Sequence, residues 1–194
     1  KSALIEPRLA GVGPFPQDLR AEHGFDNRGD HLTLSPMLME AFFKLSRRIV
    51  QSSNFDKRTV GIWQEFFVPP GKKEELESEV RERLRVFLGR AFRQPVEKGL
   101  LESYVGHVMG QLKSGKEFPG AMKEAVSAVL ASPQFLYLYD KPSEGGEAEL
   151  LNGYELASRL SFFLWGSIPD DKLLELAGSG KLVEPEVLVE QVRR

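Results

Sequence analysis

The sequence predicts an all-α protein, an irregular multi-helix bundle joined by long Gly- and Pro-rich loops. Three observations carry this reading. Apolar residues recur at three- and four-residue spacing along most of the chain. Start and stop signals bracket those stretches, most clearly Asn152 with Glu155 as a capping box and Gly166 as a terminator. Finally, from Tyr154 to Trp165 nearly every position except Glu155, Ser158, Arg159 and Ser161 is apolar, which is too broad for a surface helix and predicts one surrounded by others.

Taken in order, residues 1–34 are rich in Gly and Pro and carry no sustained period, as expected of a looped lead-in. Ser35 is placed to cap a helix with Pro36 at its first position, and Leu34 and Met39 are spaced as a hydrophobic staple. Leu38, Ala41, Phe42, Leu45 and Ile49 form one stripe of that helix, while Glu40, Lys44, Arg47 and Arg48 form a solvated face. Residues 51–73 are the least regular. There Val60, Ile62, Trp63, Phe66, Phe67 and Val68 suit either a short strand or an aromatic plug before Pro69-Pro70-Gly71.

A long helix follows, lined by Leu76, Val80, Leu84, Phe87, Leu88, Ala91 and Phe92 and broken by Pro95. Glu77–Arg81 and Glu79–Arg83 are acid-before-base pairs four apart on it, each contributing a few tenths of a kcal/mol. The next helix turns Leu100, Leu101, Tyr104, Val105, Val108, Met109 and Leu112 inward and stops at Gly115. Another, with Met122, Ala125, Val126, Val129 and Leu130 inward, ends before Pro133. Gln134 to Tyr139 fits a helical turn or an extended segment, and Asp140 to Glu149 reads as an acidic linker. After the Tyr154–Trp165 helix, Ser167, Pro169, Asp170 and Asp171 open another, where the first-turn dipole favours the carboxylates. A last helix starts at Glu184 and Pro185 and carries Val187, Leu188, Gln191 and Val192. The expected organisation is 1–75 as a loop-rich segment with one helix, 76–140 as a helical domain, and 141–194 as a helical domain truncated at its C-terminus. Lys1 is not a natural start and the last helix stops mid-pattern, so a fragment or processed form is expected.

With 194 residues, 41% of them hydrophobic and 28% charged, the chain is long enough for a real core and ordinary for a globular protein. A net charge of −2, from 26 basic and 28 acidic residues, gives no case for nucleic acid or an anionic membrane surface. No apolar run approaches the roughly 18–20 residues of a membrane span. There is no cysteine, which excludes disulfides, thiolate metal sites, cysteine nucleophiles and covalent c-type haem attachment within this chain.

The chemistry-bearing residues are sparse. His23, His31 and His107 are scattered, with no HxxxH or HxH spacing, and His107 reads as a helix-flank or satisfied core residue. Met37, Met39, Met109 and Met122 fall at helical spacing and read as core. The stretch Asp26-Asn27-Arg28-Gly29-Asp30 places acidic oxygens around a glycine, which raises a calcium site at Asp26, Asn27 and Asp30 as an alternative. An EF-hand, however, needs an oxygen donor where Arg28 stands and a Glu where Met37 stands. The first reading is a turn whose Asx side chains bond the backbone. No GxSxG, phosphate-binding loop, dinucleotide fingerprint or catalytic carboxylate pair is present, and Ser46, Ser127 and Ser158 have no evident base.

Three stretches bear a resemblance. FPQDLRAEHGFDNRGDHLTLSPMLMEAF resembles the FP-x-D…GFDN-x-x-D-x-L-x-[LV]-SP segment of planctomycete-type cytochrome c proteins. RVFLGRAFRQPV with AVSAVLASPQFLY is similar to their next domain, and YELASRLSFFLWGSIPDDKLLELA to a later one. The three stand in the family's order and cover most of residues 14–194. These are large exported bacterial proteins in which domains of unknown function accompany a c-type cytochrome. The family's upstream Asn-Arg-x-Glu-Tyr element and CxxCH motif are absent, and 51–73 lies where relatives carry a longer module. The resemblance therefore implies no cofactor in this chain, a c-type haem elsewhere in the full-length protein, and a periplasmic or otherwise exported location. The cytochrome domain or other domains of the same protein would be its partners. It carries over no catalytic residues.

The first functional reading is a helical scaffold or partner domain of an exported redox protein. The alternatives are a substrate-oxidising enzyme domain that uses the cytochrome as electron acceptor, and a free-standing interaction domain. The polar residues that fall within the family-like motifs are Asp26, Arg28, Asp30, Arg159, Asp170 and Asp171, with capping and loop-fixing ion pairs as their ordinary explanation. At least three of Phe162, Phe163, Leu164 and Trp165 are expected to be mostly buried, with Trp165→Ala costing about 3–5 kcal/mol. Arg159 is expected to meet a carboxylate, with Asp170 or Asp171 the nearest in sequence.

Overall fold

The computed structural model describes residues 36–138 and 151–194, and among these the chain is all-α, with nine α-helices, two short 3₁₀ turns and no strand. Ser35, Leu34, the Asp26–Asp30 loop, His23, His31 and the 140–149 linker lie outside the described residues. Two compact units can be distinguished. One contains α1 (Pro36–Gln51), α2 (Trp63–Phe67) and α5 (Phe118–Leu130). The other contains α3 (Leu76–Ala91), most of α4 (Lys98–Lys113), α6 (Pro133–Leu136), α7 (Gly153–Trp165), α8 (Asp171–Gly178) and α9 (Pro185–Arg193).

In the first unit α1 packs on α5. Small residues make that approach possible: Ala121, Ala125 and Ser127 of α5 and Ser46 of α1 are buried. The hydroxyls of Ser46 and Ser127 lie 3.0 Å apart and bond each other, and Ser46 also donates to the Phe43 carbonyl. The irregular stretch after α1 is an aromatic plug built around a helical turn, so the strand alternative does not hold. Phe67 is buried and meets Phe55 edge-on at 5.6 Å and Trp63 at 4.8 Å between ring centroids. Lys123 closes this cluster by donating to the Phe55 carbonyl at 3.1 Å, its ammonium over both the Phe55 and Trp63 rings.

In the second unit Val80, Leu84, Leu88 and Ala91 line the buried side of α3, and Leu101, Val105 and Val108 that of α4, as the spacing predicts. Arg81 joins the two helices, bonding Glu77 on its own helix at 2.8 Å and Glu102 on α4 at 2.9 Å. The Glu79–Arg83 pair is also formed. Gln134–Leu136 are helical within α6, and from Tyr137 the backbone is extended.

The start of α7 follows the sequence closely. Asn152 accepts hydrogen bonds from the amides of Tyr154 and Glu155, and the Glu155 carboxylate accepts from the Asn152 amide at 2.9 Å. Gly166, at φ 60°, ends the helix in the left-handed region, and Asp170 caps α8 through the Leu173 amide. Ala157, Leu173, Ala177 and Leu182 form a buried cluster, against which Tyr154, Leu160, Leu176 and Leu188 pack. The helices touch at backbone level: a Cβ on Gly153 would lie 2.7 Å from the Ala177 carbonyl oxygen.

The expectation of an enclosed α7 fails in its last turn. Phe162 is 40% exposed, Phe163 85%, Leu164 37% and Trp165 36%. The buried positions are instead the small ones, Ala157, Ser158 and Ser161. The reason is steric. A helix that approaches its neighbour at backbone distance presents its smallest side chains there, and the large ones of its last turn, Phe162 to Trp165, are left outside that contact. In α9 the stripe is likewise shifted, with Gln191 buried and Val192 exposed.

Candidate functional site

Arg93 follows α3 in the AFRQPV segment and is the one non-glycine residue with positive φ among those described, at 60°. That conformation costs an ordinary residue about 1–2 kcal/mol. The turn aims the side chain inward, and only 5% of it remains exposed. Its Nη1 donates to the carbonyls of Phe135 at 3.0 Å and Ala91 at 3.4 Å, and its Nη2 to those of Gln134 at 2.8 Å and Tyr137 at 2.7 Å. The guanidinium thus gathers the SPQFLY carbonyls onto the AFRQPV turn, joining two motifs some forty residues apart. Burial holds its pKa below the usual arginine value.

Arg93 lines a cavity of about 530 Å³ together with Tyr137, Leu138, Tyr154, Glu155 and Ser158. Three motif segments therefore meet there: AFRQPV, SPQFLY and YELASRL. Sequence reading missed Arg93 as a functional candidate. The available signal was an arginine between a breaker proline and the last apolar residue of a helix, where a solvated side chain is the usual outcome.

Of the residues singled out in the sequence, Asp26, Asn27, Arg28 and Asp30 lie outside the described residues. Arg159 is on the exposed side of α7. Asp170 caps α8 and pairs with Arg194, and Asp171 pairs with Arg90 at 2.5 Å. These two carboxylates are thus engaged in a cap and in ion pairs with arginines from α3 and the chain end, and the structure does not bring them to the Arg93 cavity.

A second feature is the apolar face at the end of α7. Phe163, Leu164, Trp165 and the following Ile168 are all exposed. Phe162 lies beside Arg93, whose guanidinium carbon is 6.0 Å from the ring centroid, and Arg194 stacks over Trp165 at 5.1 Å. Exposed aromatic clusters of this kind are a mark of contact surfaces.

The residues present do not fit a c-type haem, whose thioethers require cysteine, since the chain has none. His107 is exposed on α4, and no group of three His, Asp or Glu side chains among the described residues is arranged to hold a metal ion. No helix among the described residues is long and apolar enough to cross a membrane.

Comparison with known families agrees with the motif order. Residues 4–53 match the model of PSD3, a protein of unknown function (DUF1587), residues 79–140 that of PSD5 (DUF1595), and residues 151–194 that of PSD4 (DUF1592). No curated protein and no solved structure matches the chain. The Arg93 cavity is thus built from the PSD5 and PSD4 segments, and the exposed aromatic face lies within PSD4. The chain carries, in order, PSD3, PSD5 and PSD4, three domains of unknown function of the planctomycete cytochrome c-associated set.

Proposed function

We propose that the chain is a helical partner module of an exported redox protein, periplasmic or otherwise outside the cytoplasm, which packs against a c-type cytochrome module carried elsewhere in the same protein. The observation that carries this reading is the exposed Phe162–Trp165 turn with Ile168. An isolated apolar side chain on a surface is ordinary, but four consecutive large ones at a helix end, two of them phenylalanine and one tryptophan, have the composition of an interface core. Phe163, at 85% exposure, is the residue with most to gain from a partner, since burying a ring contributes about 2–3 kcal/mol. The haem would be held by the cytochrome module, and this chain would fix that module's position.

The test is binding of the purified chain to the cytochrome module of the full-length protein, read by calorimetry. Saturable association is expected, and Phe163→Glu should abolish it while leaving the melting temperature unchanged. Association that is unaffected by Phe163→Glu and Trp165→Glu, or no association at all, would overturn the reading.

A further inference from the structure

Independently of any docking role, we propose that the cavity beside Arg93 is a binding site for a small organic monocarboxylate with an apolar body. Four features support this. The first is charge. Arg93 is 95% buried by its 5% exposure, and its neighbours within hydrogen-bonding distance are all neutral carbonyls, so its positive charge is solvated but not neutralised. A buried cation in that state favours an arriving anion more strongly than a paired one does.

The second feature is unused donor capacity. Two hydrogen bonds leave from Nη1 and two from Nη2, which leaves the Nε–H of Arg93 without an acceptor among the described residues. Ser158 is equally buried, lines the same cavity, and its hydroxyl has no hydrogen-bond partner among the described residues. Neither atom is sealed from solvent, because the Gln191 oxygen is the sole buried side-chain polar atom without a partner among the described residues. Both donors are therefore available to a ligand.

The third feature is shape and lining. At about 530 Å³ the cavity falls within the roughly 300–1,000 Å³ of small-molecule sites. Phe92, Leu100, Pro133 and Leu138 supply apolar residues to its lining, and Tyr137 and Tyr154 complete it. The fourth feature is Glu155, a lining residue of the cavity whose carboxylate is held by the Asn152 amide. It repels a second negative group, so the site selects a monoanion over a dianion.

The experiment uses phenylacetate, phenylacetamide and phenylmalonate as matched probes, titrated into the whole chain and followed by NMR chemical-shift perturbation and thermal shift. Phenylacetate should bind at least ten-fold more tightly than the neutral amide and than the dicarboxylate. Ser158→Ala, which leaves the helix intact, should weaken phenylacetate about 2- to 13-fold and leave the amide less affected, as expected for the loss of one hydrogen bond. Arg93→Met should erase the preference for the acid. If that variant does not fold, the charge discrimination among the three probes together with Ser158→Ala still decides the matter. Equal binding of acid and amide, shifts that map away from Arg93 and Ser158, or no binding of any probe would each overturn the proposal.

Discussion

Replacing Gly153 with alanine should destabilise the protein, although alanine is the better helix former. At Gly153 a Cβ would stand 2.7 Å from the Ala177 carbonyl oxygen, 3.1 Å from its Cα and 3.2 Å from its carbonyl carbon. All three are backbone atoms, so relief requires α7 and α8 to separate. Overpacking of that kind costs about 1–3 kcal/mol, against which the alanine recovers up to ~1 kcal/mol of helix propensity and unfolded-state entropy. The net is a loss of roughly 1–2 kcal/mol, or a fall in Tm of about 2–8 °C for a chain of this size. Gly106, in the middle of α4 and exposed, supplies the control, since nothing lies within 4 Å of its missing Cβ. Gly106→Ala should therefore raise Tm, by about 1–4 °C. Thermal unfolding followed by circular dichroism at 222 nm reads both. If the two substitutions shift Tm in the same direction, the backbone contact between α7 and α8 does not have the rigidity on which the argument depends.

Other outcomes follow from the same contacts. Trp165→Ala should cost clearly less than the ~3–5 kcal/mol of a buried aromatic, because more than a third of the side chain is already in water; urea denaturation checks this, and a loss above 3 kcal/mol would mean a buried ring. Arg93→Met should lower stability by about 2–4 kcal/mol by leaving the carbonyls of Gln134, Phe135 and Tyr137 without their donor, and a neutral result in the same assay would rule out the guanidinium as the joint between the two motifs. The hydrogen bonds from Arg81 hold the Glu102 carboxyl below its usual pKa. A depressed folded-state value means that this stabilisation is complete above the ordinary carboxylate range and disappears as the pH falls through the depressed value. Glu102→Gln should accordingly lower Tm slightly near neutral pH, and the difference from the parent should close in acid; a difference that widens in acid would reverse the sign of the linkage.

What was legible in the sequence was mostly local. The Asn152–Glu155 capping box, the Gly166 stop, the Asp170 cap and the Glu77–Arg81 pair are each decided by residues within four positions of one another, and each appears as read. The buried stripes of α3 and α4 were legible for the same reason. The face presented by α7 was not. An apolar run on all sides is equally the signature of a helix in a core and of one kept apolar for a surface contact, and only the Gly153–Ala177 approach separates the two. Arg93 was hidden differently: its partners lie 41 to 44 residues away, and its left-handed backbone leaves no periodic trace. The carboxylates Asp170 and Asp171 were visible as caps, whereas their arginine partners, Arg194 and Arg90, come from 24 and 81 residues away.

The bond between Ser46 and Ser127 has a kinetic side. It joins residues 81 apart in the chain, so docking α1 onto α5 closes a loop whose entropy costs about 4 kcal/mol before any contact offsets it. During synthesis at roughly 5–20 residues per second, α1 emerges some 4–16 s before its partner exists. Through that interval the α5 surface that α1 packs on does not yet exist, which leaves the α5-facing side of α1 open to holdase chaperones. Translation stalled after Lys113 should therefore yield a nascent chain in which position 46 remains accessible to cross-linking, and in which it becomes protected only once Ser127 has left the ribosome.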